Sequence, residues 1–119
     1  FLVSDDAPTG FEPGDHASTF GGNLVTSAAA CAVLDTIDDE LLAHVKEISK
    51  LFVDAFAARG LGLLLAFDTP QPAGEIVEAA LERGLVIGSA GPNTIRLTPP
   101  LTLTVDEARQ GIALLKELL

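Results

Sequence analysis

Between Leu41 and Phe56 the apolar residues fall at three- and four-residue steps: Leu41, Leu42, Val45, Ile48, Phe52, Ala55 and Phe56. That spacing lays one apolar stripe along a helix and leaves Lys46, Glu47, Lys50 and Asp54 on the other side. His44 falls among ordinary surface residues and is expected to be solvated. Asp38, Asp39 and Glu40 open this helix, where its dipole favours acids, and Gly60 is expected to close it. Residues 62–68 then form a continuous apolar run of strand length, expected to be buried on both faces. The helical period returns over 73–83, with Ile76, Val77, Ala80 and Leu81 inward and Gly84 just past the end. Short strands are predicted at 85–87 and 94–97, around the loop Gly88-Ser89-Ala90-Gly91-Pro92-Asn93. Thr104-Val105-Asp106-Glu107 is a capping box. It starts a last helix with Val105, Ala108, Ile112, Leu115 and Leu119 facing in. The second half therefore reads strand, helix, strand, strand, helix: a small sheet with helices on one side.

The first half has a different texture. Asp5, Asp6, Pro8, Gly10, Pro13 and Gly14 exclude a long regular element before residue 23, leaving only 1–3 as a possible strand end. Residues 24–37 form an alanine-rich helix with aliphatics at Val25, Val33, Leu34 and Ile37. Small side chains let other backbones come close, which suits an interface or a deeply packed helix. Just before it stands His16-Ala17-Ser18-Thr19-Phe20-Gly21-Gly22-Asn23. Ser18 and Thr19 offer hydroxyl donors, Gly21 and Gly22 allow close backbone approach, and no acid intrudes between His16 and Val33. A helix start behind such a turn suits an anion, phosphate above all. The plainer alternative is a tight turn in which Asn23 caps the helix and nothing binds.

A hydrophobic content of 48% supports a packed core, and the net charge of −10 argues against nucleic acid or an anionic membrane surface as partner. Cys31, the single cysteine, sits between alanines and reads as a small buried apolar residue in a reducing compartment. CxxC, HExxH, GxSxG, a Walker lysine and a dinucleotide glycine fingerprint are all missing, and His16 and His44 are not spaced as a metal pair. Arg96 interrupts an apolar strand, with Ile95 and Leu97 pointing the opposite way. It reads either as an arginine in solvent or as a fork for a carboxylate. Arg59 reads as structural, at a helix-to-strand joint.

Pro13-Gly14-Asp15-His16-Ala17-Ser18-Thr19-Phe20-Gly21-Gly22-Asn23, leading into Ala28-Ala29-Ala30-Cys31-Ala32-Val33-Leu34, resembles the class III pyridoxal-phosphate aminotransferases. The flavour is that of the acetylornithine aminotransferase group. Arg59-Gly60-Leu61-Gly62-Leu63-Leu64-Leu65 and Ile95-Arg96-Leu97-Thr98-Pro99-Pro100-Leu101 support it in the same order. Ala17 stands where the family usually has glycine and Leu24 where it has proline, and relatives usually carry extra residues before the Arg59-Gly60 segment.

The resemblance implies an α/β parent of fold type I, of which this chain is an α+β portion. That portion holds an alanine-rich interface helix and a long helix, then the small sheet with helices on one side. It makes residues 1–38 the end of the large cofactor-binding domain and residues 39–119 the C-terminal small domain. It implies pyridoxal 5′-phosphate as cofactor, with Thr19 on its phosphate, Ser18 and Arg96 on the substrate, and a homodimer whose site is completed across the interface. The implied reaction moves an amino group from N-acetylornithine to 2-oxoglutarate in arginine biosynthesis, in the cytoplasm. The Schiff-base lysine of the family lies upstream of the motif, and Lys46, Lys50 and Lys116 lack its setting. With a first residue that is phenylalanine, the expectation is a fragment that is inactive alone. The alternatives are an ornithine, succinylornithine or 4-aminobutyrate transaminase, or a non-catalytic module that binds an anion or a partner.

Overall fold

A computed structural model of the chain describes residues 18–119. The turn-rich stretch 1–17, with the possible strand end at 1–3 and the motif residues His16 and Ala17, lies outside the described residues. The chain divides into two compact units, Phe1–Thr36 and Ile37–Leu119.

In the first unit the described part is a turn and one helix, α1 (Leu24–Thr36). None of its residues is buried within that unit; Leu24 is 89% exposed and Val25 78%. Cys31 is exposed too, contrary to the buried position its neighbours suggested, because no described part of its own unit covers the helix.

The second unit holds α2 (Asp39–Phe56), β1 (Arg59–Leu61), β2 (Leu64–Asp68), α3 (Ala73–Glu82), β3 (Gly88–Ser89), β4 (Thr94–Leu97) and α4 (Val105–Leu118). The strands form one antiparallel sheet in the order β1-β2-β4-β3. Inward residues alternate with outward ones: Leu65 and Phe67 on β2, Ile95 and Leu97 on β4. They meet Val45, Ile48 and Phe52 of α2, Ala73 and Ile76 of α3, and Ala108 and Leu115 of α4 in one core. Phe56 stacks on Phe67 with ring centroids 4.6 Å apart. The result is α+β, a small sheet with helices on one face.

Both helix-start expectations in this unit hold. Asp38 caps α2 by accepting from the Leu41 N–H at 2.8 Å. Thr104 and Glu107 form the reciprocal capping box on α4.

The strands differ from the expectation in three ways. The apolar run 62–68 is not one strand. Arg59–Leu61 pairs back on Leu64–Asp68 through a two-residue turn, Gly62-Leu63, with Gly62 at φ 57. Burial along β2 is therefore one-sided. Gly60 does not end the helix either. Ala57 does, in the left-handed conformation at φ 51, while Gly60 lies in β1 at φ 143. A Cβ on Gly60 would come 2.0 Å from the Leu64 carbonyl oxygen, so only glycine fits there. Finally, 85–87 is not a strand, and pairing with β4 is confined to Gly88 and Ser89. Continuing that register would bring Leu85 opposite Pro99, which has no N–H to donate. Leu85 and Ile87 instead pack sideways on the core and leave Val86 exposed.

Four side chains also depart from their expected places. His44 is half-buried, with Nε2 2.9 Å from the Leu103 carbonyl oxygen, and ties α2 to the approach to α4. Leu42, Leu81 and Leu119 are exposed, at 44%, 61% and 39%, the last because it lies past the end of α4.

Ala57 in the left-handed region carries a Cβ penalty of about 1–2 kcal/mol that glycine avoids. Ala57→Gly is expected to raise the unfolding free energy by about 0.5–1 kcal/mol, after the entropy glycine adds to the unfolded chain. A lower urea midpoint for this variant would show that Ala57 is not strained.

Candidate functional site

The hydroxyl-glycine motif lies in the first unit. Ser18 and Thr19 are both exposed, at the start of a turn that runs to Gly22. Ser18 folds back over Gly21, where an added Cβ would stand 3.0 Å from the serine Cβ and 3.1 Å from its Oγ. Asn23 then organises the joint to α1. Its Nδ2 donates to the Phe20 carbonyl oxygen at 2.6 Å, and its Oδ1 accepts from the Val25 and Thr26 N–H groups at 3.1 and 3.0 Å. The capped turn expected as the plainer alternative is therefore present, and the side chain of Asn23 takes up N–H groups that an anion would otherwise use. What this turn still offers a phosphate is a pair of exposed hydroxyls with no carboxylate between them and Val33. That donor set fits a phosphate through Ser18 and Thr19 rather than through the helix end.

Arg96 belongs to the second unit. Ile95 is fully buried and Leu97 nearly so, so strand alternation turns Arg96 to the outer face of the sheet. β4 lies between β2 and β3, and Arg96 is directly opposite Ala66 on one side and Gly88 on the other. Both neighbours are small, which leaves a shelf for the guanidinium. Its Nη2 lies 3.4 Å, and its Nε 3.6 Å, from where a Cβ of Gly88 would be. Neither flanking residue was singled out from the sequence; the signal is the register of Arg96 against its neighbours, which only the fold supplies.

Among the described residues Arg59, Arg83 and Arg109 each have a carboxylate partner, and Arg96 has none. A cavity of about 480 Å³ opens beside it, with Phe52, Leu85, Pro99, Leu103 and Glu107 among its walls. Arg96 is thus a placed cation with spare hydrogen-bonding capacity. Arg59 is already paired: its Nη1 and Nη2 donate to the two Asp68 oxygens, each at 2.9 Å. Thr94 donates to Asp68 Oδ1 at 2.6 Å from across the ladder. These donors, Arg59 first, hold the Asp68 carboxyl below the usual carboxylate range. The structural role expected of Arg59 is what it performs.

The sequence matches the aminotransferase class III family over residues 1–119. The chain belongs to that family. Class III aminotransferases are pyridoxal-phosphate enzymes. The acetylornithine aminotransferase of Streptococcus mutans is 38% identical over 98% of the chain. The crystal structure of acetylornithine aminotransferase from Elizabethkingia anophelis superposes with a TM-score of 0.73 at 30% identity, over 91% of this chain and 33% of that one. Ornithine aminotransferase from Plasmodium yoelii also gives 0.73, at 25% identity, over 91% of this chain and 32% of that one. The chain spans about a third of the length of the relatives it matches, 34% in the Streptococcus mutans enzyme. No described helix is long and apolar enough to cross a membrane.

Because the folded value of Asp68 lies below the unfolded one, its contribution to stability is present above the unfolded carboxylate value near ~3.9 and is lost as pH falls through the lower folded value. Asp68→Asn should leave a shallower loss of stability on acidification, read as the urea midpoint between roughly pH 5 and pH 2. Identical acid profiles for the two proteins would remove Asp68 from the acid response.

Proposed function

We propose that this chain is the C-terminal portion of a cytoplasmic, homodimeric transaminase that moves the amino group of N-acetylornithine to 2-oxoglutarate in arginine biosynthesis. The observation that carries the reading is Arg96: a guanidinium without a carboxylate partner among the described residues, set on the outer face of an interior strand between Ala66 and Gly88. A planar fork in that position pairs both oxygens of a substrate carboxylate and orients the acceptor.

In this reading residues 1–38 end the large domain, and residues 39–119 are the small domain. Thr19 donates its hydroxyl to the phosphate of pyridoxal 5′-phosphate held by the partner subunit, and Ser18 reaches the substrate there. When bound, that cofactor supplies the electron sink for the transamination. The residues of this chain bind, orient and neutralise charge, and none of them moves the reacting proton. The chain on its own is inactive, since none of Lys46, Lys50 and Lys116 has the setting of the cofactor lysine. The apolar surface of α1, exposed within its own unit, is the dimer contact; a helix apolar all round is ordinarily a buried one.

The matching TM-score of the Plasmodium yoelii ornithine enzyme favours one competing reading, a class III enzyme that takes free ornithine. Assay of the complete enzyme with N-acetylornithine, ornithine, succinylornithine and 4-aminobutyrate decides between them. Preference for an unacetylated donor would overturn the substrate assignment.

Arg96→Lys keeps the charge and loses the fork. In the complete enzyme the KM for the dicarboxylate acceptor should rise by about tenfold, the equivalent of ~1.4 kcal/mol, with cofactor affinity unchanged. Unaltered acceptor kinetics would return Arg96 to a role in solvent.

Thr19→Ala removes a hydrogen bond to a charged group, worth roughly 1.5–3 kcal/mol. Cofactor affinity should fall by about 10- to 150-fold, and much less in Thr19→Ser, which keeps the hydroxyl. Heterodimers of a Thr19→Ala subunit with one lacking the cofactor lysine would carry both lesions in one site and leave the other intact. About half of the wild-type activity per dimer should then return. Verified heterodimers without activity would refute the contact across the interface, and normal cofactor affinity in Thr19→Ala would refute the phosphate role.

A further inference from the structure

The flank of Arg96 is asymmetric. The guanidinium lies over Gly88, the residue directly opposite it on β3, at ordinary van der Waals distance from where a first side-chain carbon would be. The nearest two atoms to that point are Nη2 at 3.4 Å and Nε at 3.6 Å; the Arg96 carbonyl oxygen follows at 3.8 Å. Gly88 has no positive φ, so its backbone does not require glycine. What a side chain there would change is the space taken up by the arginine. A β-carbon just fits. A branched side chain, which adds γ-carbons pointing further out of the sheet, does not fit without pushing the guanidinium aside.

Resting on the reading of Arg96 as the carboxylate fork, we infer that Gly88 is a positioning residue for acceptor specificity. By presenting bare backbone, it leaves the guanidinium room to lie over β3, with Nη2 and Nε both against Gly88. β3 is suited to this task. It is two residues long and stands at the sheet edge, with the tight loop closed by the Ala90 N–H to Thr94 carbonyl bond at 2.9 Å immediately behind it. That loop fixes the Gly88–Arg96 register, so the shelf cannot slide relative to the side chain it supports. The ligand served is a dicarboxylate. A fork displaced by one γ-carbon meets a carboxylate with one nitrogen instead of two.

The test uses the complete holoenzyme and glutarate, a dicarboxylate that binds without reacting, measured by calorimetry beside the acceptor KM. Gly88→Val should weaken glutarate and raise the acceptor KM by about tenfold, the loss of one charge-assisted hydrogen bond, with cofactor content and the KM of the amino donor unchanged. Arg96→Lys, measured in parallel, should weaken glutarate by itself. If Gly88→Val does not fold, Gly88→Ser, whose single γ-atom still reaches past the β-position, serves in a double-mutant cycle with Arg96→Lys. Its weakening of glutarate, about two- to threefold, should vanish in the lysine background, which has no fork to misplace. Normal glutarate binding in Gly88→Val beside weakened binding in Arg96→Lys overturns the role of Gly88, as do strictly additive effects in the cycle. Normal binding in Arg96→Lys overturns the carboxylate reading instead.

Discussion

Ile95 and Leu97 both enter the core, and the pleat of β4 then leaves Arg96 no choice of face. Three helices cover one side of the sheet, so whatever stands between two buried residues must look outward. The pairing of β4 with β2 extends the same constraint across the sheet. Leu65 faces Leu97 and Phe67 faces Ile95 inside, while Ala66 faces Arg96 and Asp68 faces Thr94 outside. A slip of one residue would bury a guanidinium and expose two core aliphatics at once, which ties the register to the burial. The outer polar row of Arg59, Asp68 and Thr94 and the placement of Arg96 follow from this one packing requirement.

The first unit works on the opposite principle. α1 gains no burial from its described neighbours, and its start is defined by the hydrogen bonds of Asn23. Local chemistry sets where the helix begins, but nothing among the described residues of the unit covers the apolar surface of Leu24, Val25, Val33 and Leu34. An alanine-rich helix of that kind is a component made to be covered. The described parts of the two units therefore differ: one closes its own core, the other carries a turn with exposed hydroxyls on a helix with no buried residue.

Much of this was legible in the residues. The stripe from Leu41 to Phe56 has a single helical reading, and the Thr104–Glu107 box has a single meaning, so α2 and α4 emerge in place. The outward direction of Arg96 follows from its neighbours alone. What was not legible depends on space rather than on period. A run of leucines conceals the turn at Gly62 and Leu63, because apolar residues continue straight through it. Three residues, Arg59-Gly60-Leu61, are too few to show an alternation. That pairing stops at Gly88 is not written in residues 85–87 themselves; in the β3–β4 register Leu85 would fall opposite Pro99, distant in sequence. His44 looked solvated because its partner is a backbone carbonyl near α4, which no sequence pattern marks. In the candidate site, Ser18, Thr19 and Arg96 were visible as chemistry, whereas Ala66 and Gly88 became visible only through strand register.

The pairing of α2 with α4 has a consequence for how such a chain is made. Ile48 and Phe52 of α2 are buried in the same core as Ala108 and Leu115 of α4, at the other end of the unit. The bond of His44 to the Leu103 carbonyl ties α2 to the approach to α4 as well, and the ion pair of Arg83 with Glu117 fastens the end of α3 to the same last helix. On a ribosome, α2 emerges early and must wait, with its stripe open to water, until α4 has cleared the exit tunnel. The β1–β2 hairpin is local and closes at once, but the core around it cannot. During that interval the nascent chain presents an uncovered apolar stripe beside an exposed edge strand, the form of surface that chaperones bind. Premature termination inside α4 would make the interval permanent.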